Sequence, residues 1–195
     1  MNGFVLFPDK LTHKQLVDVG ASFPDSEIDL SVALPHVTVL QAPFKNGFNP
    51  AATLKKFAGD RFVSHELRAH LGSLKQVDQH WLFLEVMNTA PLKELNSRII
   101  ADVEDWIDVA AAPVPKKTMT DAEQASYDRT GYRYNLEAYA PHFTVGVVDS
   151  VVKVPAVPEL TGSWVPFRQL AFCEHGEHGQ ITRVLDQVDL LSSWD

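Results

Sequence analysis

The pattern Pro-His-x-Thr-Val occurs twice in this chain, as PHVTV at 35–39 and PHFTV at 141–145. Each copy sits in an apolar run, LPHVTVLQAPF and YAPHFTVGVV, that reads as a buried β-strand. A strand alternates its faces, so His36 and Thr38 project to one side while Pro35, Val37 and Val39 project into the core. The second copy repeats the arrangement, with His142 and Thr144 set against Pro141, Phe143 and Val145. Burying such polar groups without partners costs on the order of 1–3 kcal/mol each, so the face that carries them should look into a wet cleft. Two strands about a hundred residues apart therefore have to meet across one cleft, and that requirement limits the fold more than any other feature of the sequence.

The elements around the repeat are legible from periodicity and punctuation. A first strand over 3–8 ends at Pro8, and Thr12 is placed to cap a short helix over 13–19 that closes at Gly20. Asn49 and Pro50 open a helix over 50–58, with Gly59 as its stop. Residues 62–74 and 80–88 read as a hairpin. Leu92, Leu95, Ile99, Val103, Trp106 and Ala110 then recur at helical spacing and form one apolar stripe. Residues 112–135 break the pattern as a long polar and aromatic connection, with Thr120 and Glu123 as a capping box for a short helix. The second motif strand at 140–147 follows, and strands at 163–175 and 180–190 turn at HGEHG.

The order helix, motif strand, connection, hairpin thus occurs twice. The expected fold is α+β and bilobal, with two pseudo-symmetric antiparallel sheets, helices on their outer faces and a central cleft. At 195 residues, with 45% hydrophobic and 22% charged residues, the chain is expected to form a single domain over 1–195 made of two lobes. MNGFVLFPDK lacks the basic region and apolar length of a signal peptide or membrane span, and a single cysteine, Cys173, forms no internal disulfide framework. The expectation is a cytoplasmic monomer with no membrane partner. A net charge of −8 argues against bulk duplex nucleic acid, which is held through broad basic surfaces, and leaves room for a small anionic ligand.

Two imidazoles and two hydroxyls in one cleft suit in-line displacement at phosphorus. Near neutrality one histidine can be a free base while another carries a proton, and the hydroxyls can hold phosphoryl oxygens. Such chemistry needs no metal and no cofactor.

The paired motifs, and YAPHFTVG in particular, resemble the two signatures of the 2H phosphoesterase superfamily, which includes the 2'-5' RNA ligase-like proteins and cyclic nucleotide phosphodiesterases. The resemblance implies a bilobal α+β fold with a central groove and metal-independent phosphoester chemistry. It also implies catalytic roles for His36 and His142 and phosphate contacts from Thr38 and Thr144. The expected substrate is a 2',3'-cyclic phosphate, or a related 2'-linked or cyclic phosphodiester, of a small nucleotide or RNA end. The alternative is a non-catalytic nucleotide- or RNA-end-binding module built on the same cleft.

Other residues are weighed beside these. In 113–135, a possible lid, Arg129, Tyr132, Arg133 and Tyr134 are candidate substrate-binding groups, tyrosines to stack on a base and arginines to meet a phosphate. Lys116 and Lys117 add to the charge of the same segment. Arg168 and Arg183 are weaker candidates that can simply pair with neighbouring carboxylates. His65 and His70 are five apart, which suits neither a strand face nor a zinc helix. His175 and His178 read as a solvated hairpin tip, and Cys173 as a small strand residue.

Overall fold

A computed structural model describes residues 1–60, 63, 67–87, 89–115 and 118–190. Strand β1 (Asn2–Pro8) leads into helix α1 (Lys10–Ala21), then β2 (Val37–Ala42), α2 (Ala51–Ala58) and the hairpin β3 (Arg68–Val77) and β4 (Trp81–Val86). Helix α3 (Thr89–Val103) and α4 (Asp121–Thr130) precede β5 (His142–Val147), β6 (Trp164–His175) and β7 (Ile181–Asp189). All ladders are antiparallel, in the order β1-β2-β5-β4-β3-β6-β7, with β1 also paired to β6.

The α+β, two-limbed arrangement expected from the repeat is present, but its limbs are joined into one seven-stranded sheet. One limb is β2-β1-β6-β7 and the other is β5-β4-β3. They meet where Val37 of β2 pairs with Phe143 of β5, and where the start of β6 pairs with β3 through His70 and Trp164. The hairpin that follows each motif in the chain serves the other motif. β4 lies beside β5, while β6 lies beside β1, which flanks β2. The helices are exchanged likewise, α1 packing on β5 and α3 on β2.

The core lies on the helix side of the sheet, where Leu16, Leu54, Leu92, Leu95, Ile99 and Val103 meet Phe4, Leu6, Leu84 and Phe143. Gly20 lies inside α1 instead of ending it, and its packing suits glycine, since a Cβ there would meet Leu30 at 2.8 Å and the Val145 carbonyl oxygen at 3.1 Å. The cap of α1 is Asp9, whose side chain accepts from the Thr12 amide at 2.9 Å; Thr12 is three residues inside the helix. Pro50 is the cap position of α2, and the Asn49 side chain just before it accepts from the Ala51 amide at 3.0 Å. The stripe predicted to run to Ala110 breaks after Val103 into two 3₁₀ turns. The Thr120–Glu123 capping box forms as expected and opens α4, a ten-residue helix within what the sequence suggests is mostly loop. Among the described residues no helix is long and apolar enough to cross a membrane.

Candidate active site

The two motifs are placed by one cross-strand pair. Val37 faces Phe143 in the β2–β5 ladder, and both are fully buried on the core side. Continuing that register by one residue either way sets His36 opposite Thr144 and Thr38 opposite His142, all four on the other face. Their burial follows the predicted alternation: Pro35, Val37, Val39, Pro141, Phe143 and Val145 are buried, and the four polar residues between them are partly exposed. Residues directly opposite have Cβ atoms about 5 Å apart and diagonal neighbours about 7–8 Å apart. The imidazoles thus occupy one diagonal of a small rectangle and the hydroxyls the other.

The prolines of the motif have a local role. Each follows a residue, Leu34 or Ala140, that a proline next in sequence biases toward extended backbone. The carbonyls of those residues return to the rings: His36 Nδ1 lies 2.8 Å from the Leu34 oxygen, and His142 Nδ1 lies 2.8 Å from the Ala140 oxygen. In the neutral rings this contact places the hydrogen on Nδ1 and leaves Nε2 as the basic lone pair. The same device occurs in both copies, so the side-chain geometry repeats along with the sequence.

The surroundings of the two rings differ. His142 stacks on Phe83, with centroids 3.7 Å apart and an interplanar angle of 26°, and Phe83 is the β4 partner of Thr144. Burial lowers the His142 pKa below its ordinary value, against the opposing effect of the Ala140 hydrogen bond. His36 is pushed down to about 3, first by burial and then by the neighbouring His175, with the Leu34 hydrogen bond opposing and His142 adding a smaller repulsion. His36 and Thr144 line one small pocket, closed by Gly179 and Gln180 of the β6–β7 turn and by Ile28 and Leu30.

His175 is therefore not a solvated tip. It is the last residue of β6, 7% exposed, and its ring meets His36 edge-on at 5.7 Å. Its Nδ1 lies 3.1 Å from the Gly179 carbonyl, and its Nε2 is buried with no hydrogen-bond partner among the described residues. Burial is the main reason its pKa falls to about 4. Period-two alternation from Ala171 and Cys173 is the signal for it, masked by the Gly-bearing turn that follows. His178, one turn further on, is partly exposed and meets Glu27 at 2.7 Å. Cys173 is a buried free thiol, its pKa pushed up to about 12 by burial, as a small strand residue would be.

Within 113–135, the stretch from Ser126 to Asn135 is docked. Asn135 donates to the Gln41 carbonyl on β2 at 2.9 Å and to Thr130 Oγ1 at 2.8 Å, while Ser126 donates to the Asn135 carbonyl at 2.6 Å. Asn96 of α3 extends the network, donating to the Val39 carbonyl at 2.6 Å and accepting from the Leu136 amide at 2.9 Å. Of the four candidates here, Arg129 pairs with Glu104 at 2.8 Å, Arg133 lies over the Tyr134 ring and 3.9 Å from Glu123, and Tyr132 meets Tyr134 edge-on. Burial pushes the Tyr132 hydroxyl up to about 12. Among the described residues, these four meet one another, Glu123 and Glu104. Arg183 pairs with Glu174 at 2.9 Å, the bland alternative for that residue. His70 stacks on Trp164 at 4.7 Å, whereas His65, Lys116 and Lys117 lie outside the described residues. Among the described residues no group of three or more His, Cys, Asp or Glu side chains is arranged to hold a metal ion.

No protein-family model and no curated protein sequence matches the chain. Solved structures do match along nearly its whole length. TT0787 of Thermus thermophilus is 18% identical with a TM-score of 0.55, covering 98% of both chains. A phosphoesterase is 11% identical with a TM-score of 0.56, and E. coli LigT complexed with ATP is 12% identical with a TM-score of 0.56, each covering 98% of both chains. The chain has the fold of these proteins.

Proposed function

We propose that this chain is a 2H-type phosphoesterase that opens a 2',3'-cyclic phosphate, or a related 2'-linked or cyclic phosphodiester, on a small nucleotide or RNA end. The observation that carries the reading is the Val37–Phe143 pair, whose register, continued by one residue each way, brings His36 opposite Thr144 and Thr38 opposite His142. A phosphoryl group centred between them would have an imidazole on each side and a hydroxyl at each remaining corner. Water attacks phosphorus as one Nε2 takes its proton; the bond to the 2' or 3' oxygen breaks, and the other imidazolium gives that oxygen a proton. Thr38 and Thr144 donate to the non-bridging oxygens, whose charge grows in the transition state. The step balances without a metal or cofactor.

The shared fold supports the phosphoesterase class. Structures of E. coli LigT complexed with ATP, with phosphate and with 3'-AMP support a nucleotide or phosphate as ligand here. Arg129, Tyr132, Arg133 and Tyr134 are proposed as more distant substrate contacts, reached only when segment 113–135 shifts as a lid.

The test is turnover in the presence of chelator of 2',3'-cyclic mononucleotides, 2'-5' linked oligonucleotides and cyclic dinucleotides, with products resolved by phosphorus NMR. Hydrolysis that survives EDTA supports the proposal. Ligand-induced stabilisation without turnover replaces it with a nucleotide-binding module, and neither response removes both readings.

A further inference from the structure

The two motifs repeat each other down to the carbonyl that holds each ring, yet among the described residues a third imidazole stands beside His36 and not beside His142. We infer that His175 is a positioning residue that seals one side of His36 from water and favours its neutral, proton-accepting form. This assignment rests on the proposed phosphoesterase reading for its chemical meaning, but the state of the His36 ring can be measured without any substrate.

Geometry supports the inference at three points. His175 is buried and meets His36 edge-on, so it occupies space that solvent would otherwise take. Its Nδ1 contact with the Gly179 carbonyl fixes the neutral tautomer, and Nε2 has no acceptor within reach among the described residues. Protonating Nε2 would bury a second donor with nothing to receive it, so the ring resists charge itself. Finally, the wall is built from the chain's far ends. The His175 amide donates to the Met1 carbonyl at 2.8 Å, and β1 passes close enough that a Cβ on Gly3 would meet His175 Nε2 at 2.9 Å. A hydrogen bond at Nε2 is not why a histidine stands there, because that atom makes none among the described residues.

The groups around the pair act in the same direction. The N-terminal amine lowers the His175 pKa, and His175 and His142 both lower that of His36. Glu174, the chain neighbour of His175, is paired with Arg183, and His178 in the following turn is paired with Glu27. Glu177, the remaining charged residue of that turn, is exposed. No described carboxylate is among the causes that set the charge of either ring.

The experiment is an NMR titration of the histidine ring signals in the wild-type protein, in His175→Ala and in His175→Phe. In the wild type, His36 should stay neutral below pH 5. His175→Ala admits water and should raise its midpoint by at least one pH unit, whereas His175→Phe restores the wall and should raise it less; His142 should move little in either. The acid limb of kcat/KM should shift by the same amount as the His36 midpoint. A wild-type His36 that titrates near 6.5, or a midpoint unmoved in the variants that fold, overturns the inference. Absence of turnover by the wild type counts against the phosphoesterase reading alone, since the ring titration stands without it.

Discussion

The Tyr139 hydroxyl donates to the Thr38 carbonyl at 2.8 Å, so a side chain just ahead of the second motif holds the backbone of the first. Tyr139 is 5% exposed, and burial raises its pKa well beyond the usual tyrosine range, which keeps the phenol as a donor. Because only one residue pair joins β2 and β5 in the ladder, this bond is a second pin on their register. Tyr139→Phe should cost about 0.5–1.5 kcal/mol, the net range for one hydrogen bond. It should also lower kcat more than it raises KM, as read by chemical denaturation and steady-state kinetics. Unchanged kcat would show that the pair at Val37 and Phe143 holds the register by itself.

His36→Ala and His142→Ala should each lower kcat by roughly 10²- to 10⁴-fold, and the double variant should lose far less than the product, since base and acid act in one step. Thr38→Ala and Thr144→Ala should cost less, about 1.5–3 kcal/mol of transition-state stabilisation for a hydrogen bond to a charged phosphoryl oxygen. A loss below about fivefold for either histidine, with the fold intact by circular dichroism, would end the two-imidazole mechanism, because a positioned acid or base contributes at least about 10²-fold.

The pH dependence follows from the direction of the histidine shifts. His36 and His142 are both held below 6.5, so the form with one neutral and one protonated ring is most populated on the acid side of that value. The bell in kcat/KM should therefore peak below pH 6.5, and a maximum above pH 7 would contradict the site described. Stability should move with it. In the unfolded chain these rings take a proton near pH 6.5, while in the fold His175 and His36 resist until about 4 and about 3. Acid thus favours the unfolded state, and each ring costs on the order of 1.4 kcal/mol per pH unit across that window. Denaturation midpoints measured from pH 7 to 5 should fall, and His175→Phe should flatten the slope.

Segment 113–135 offers a contrast between anchor and contact. Asn135 is 1% exposed and bonded to both Gln41 and Thr130, so Asn135→Ala should destabilise by about 1–3 kcal/mol through the buried groups it orphans. Arg133→Ala removes a partly exposed contact with Tyr134 and Glu123, and should leave stability nearly unchanged while raising KM for a nucleotide. Unaltered KM in Arg129→Ala, Tyr132→Ala and Arg133→Ala would remove the segment from substrate binding.

Period-two alternation is enough to place both motif strands, the faces of their polar residues and the final hairpin, because each rests on local geometry. What cannot be read locally is which strand lies beside which. Phe83, in HWLFLEVMN, alternates correctly onto the site face, but only the β4–β5 register puts it under His142. Asn96 and Asn135 are buried polar residues whose partners come from distant elements, so a sequence window shows only an asparagine among apolar neighbours. His175 is hidden by its own turn, since a histidine beside glycine looks like surface until a neighbouring strand covers it.

The exchange of hairpins between the two motifs has a consequence for synthesis. As the chain leaves the ribosome, β1 and β2 emerge early, but the strand that flanks β1 on its other side is β6, near the far end. Strand β1 must then wait with an open edge until β6 is made, while β2 with the first motif waits for β5 at 142–147. Fragments cut in the connection after α3 should each aggregate or stay unstructured alone, yet recover the fold when co-expressed, because each supplies the border strand the other lacks.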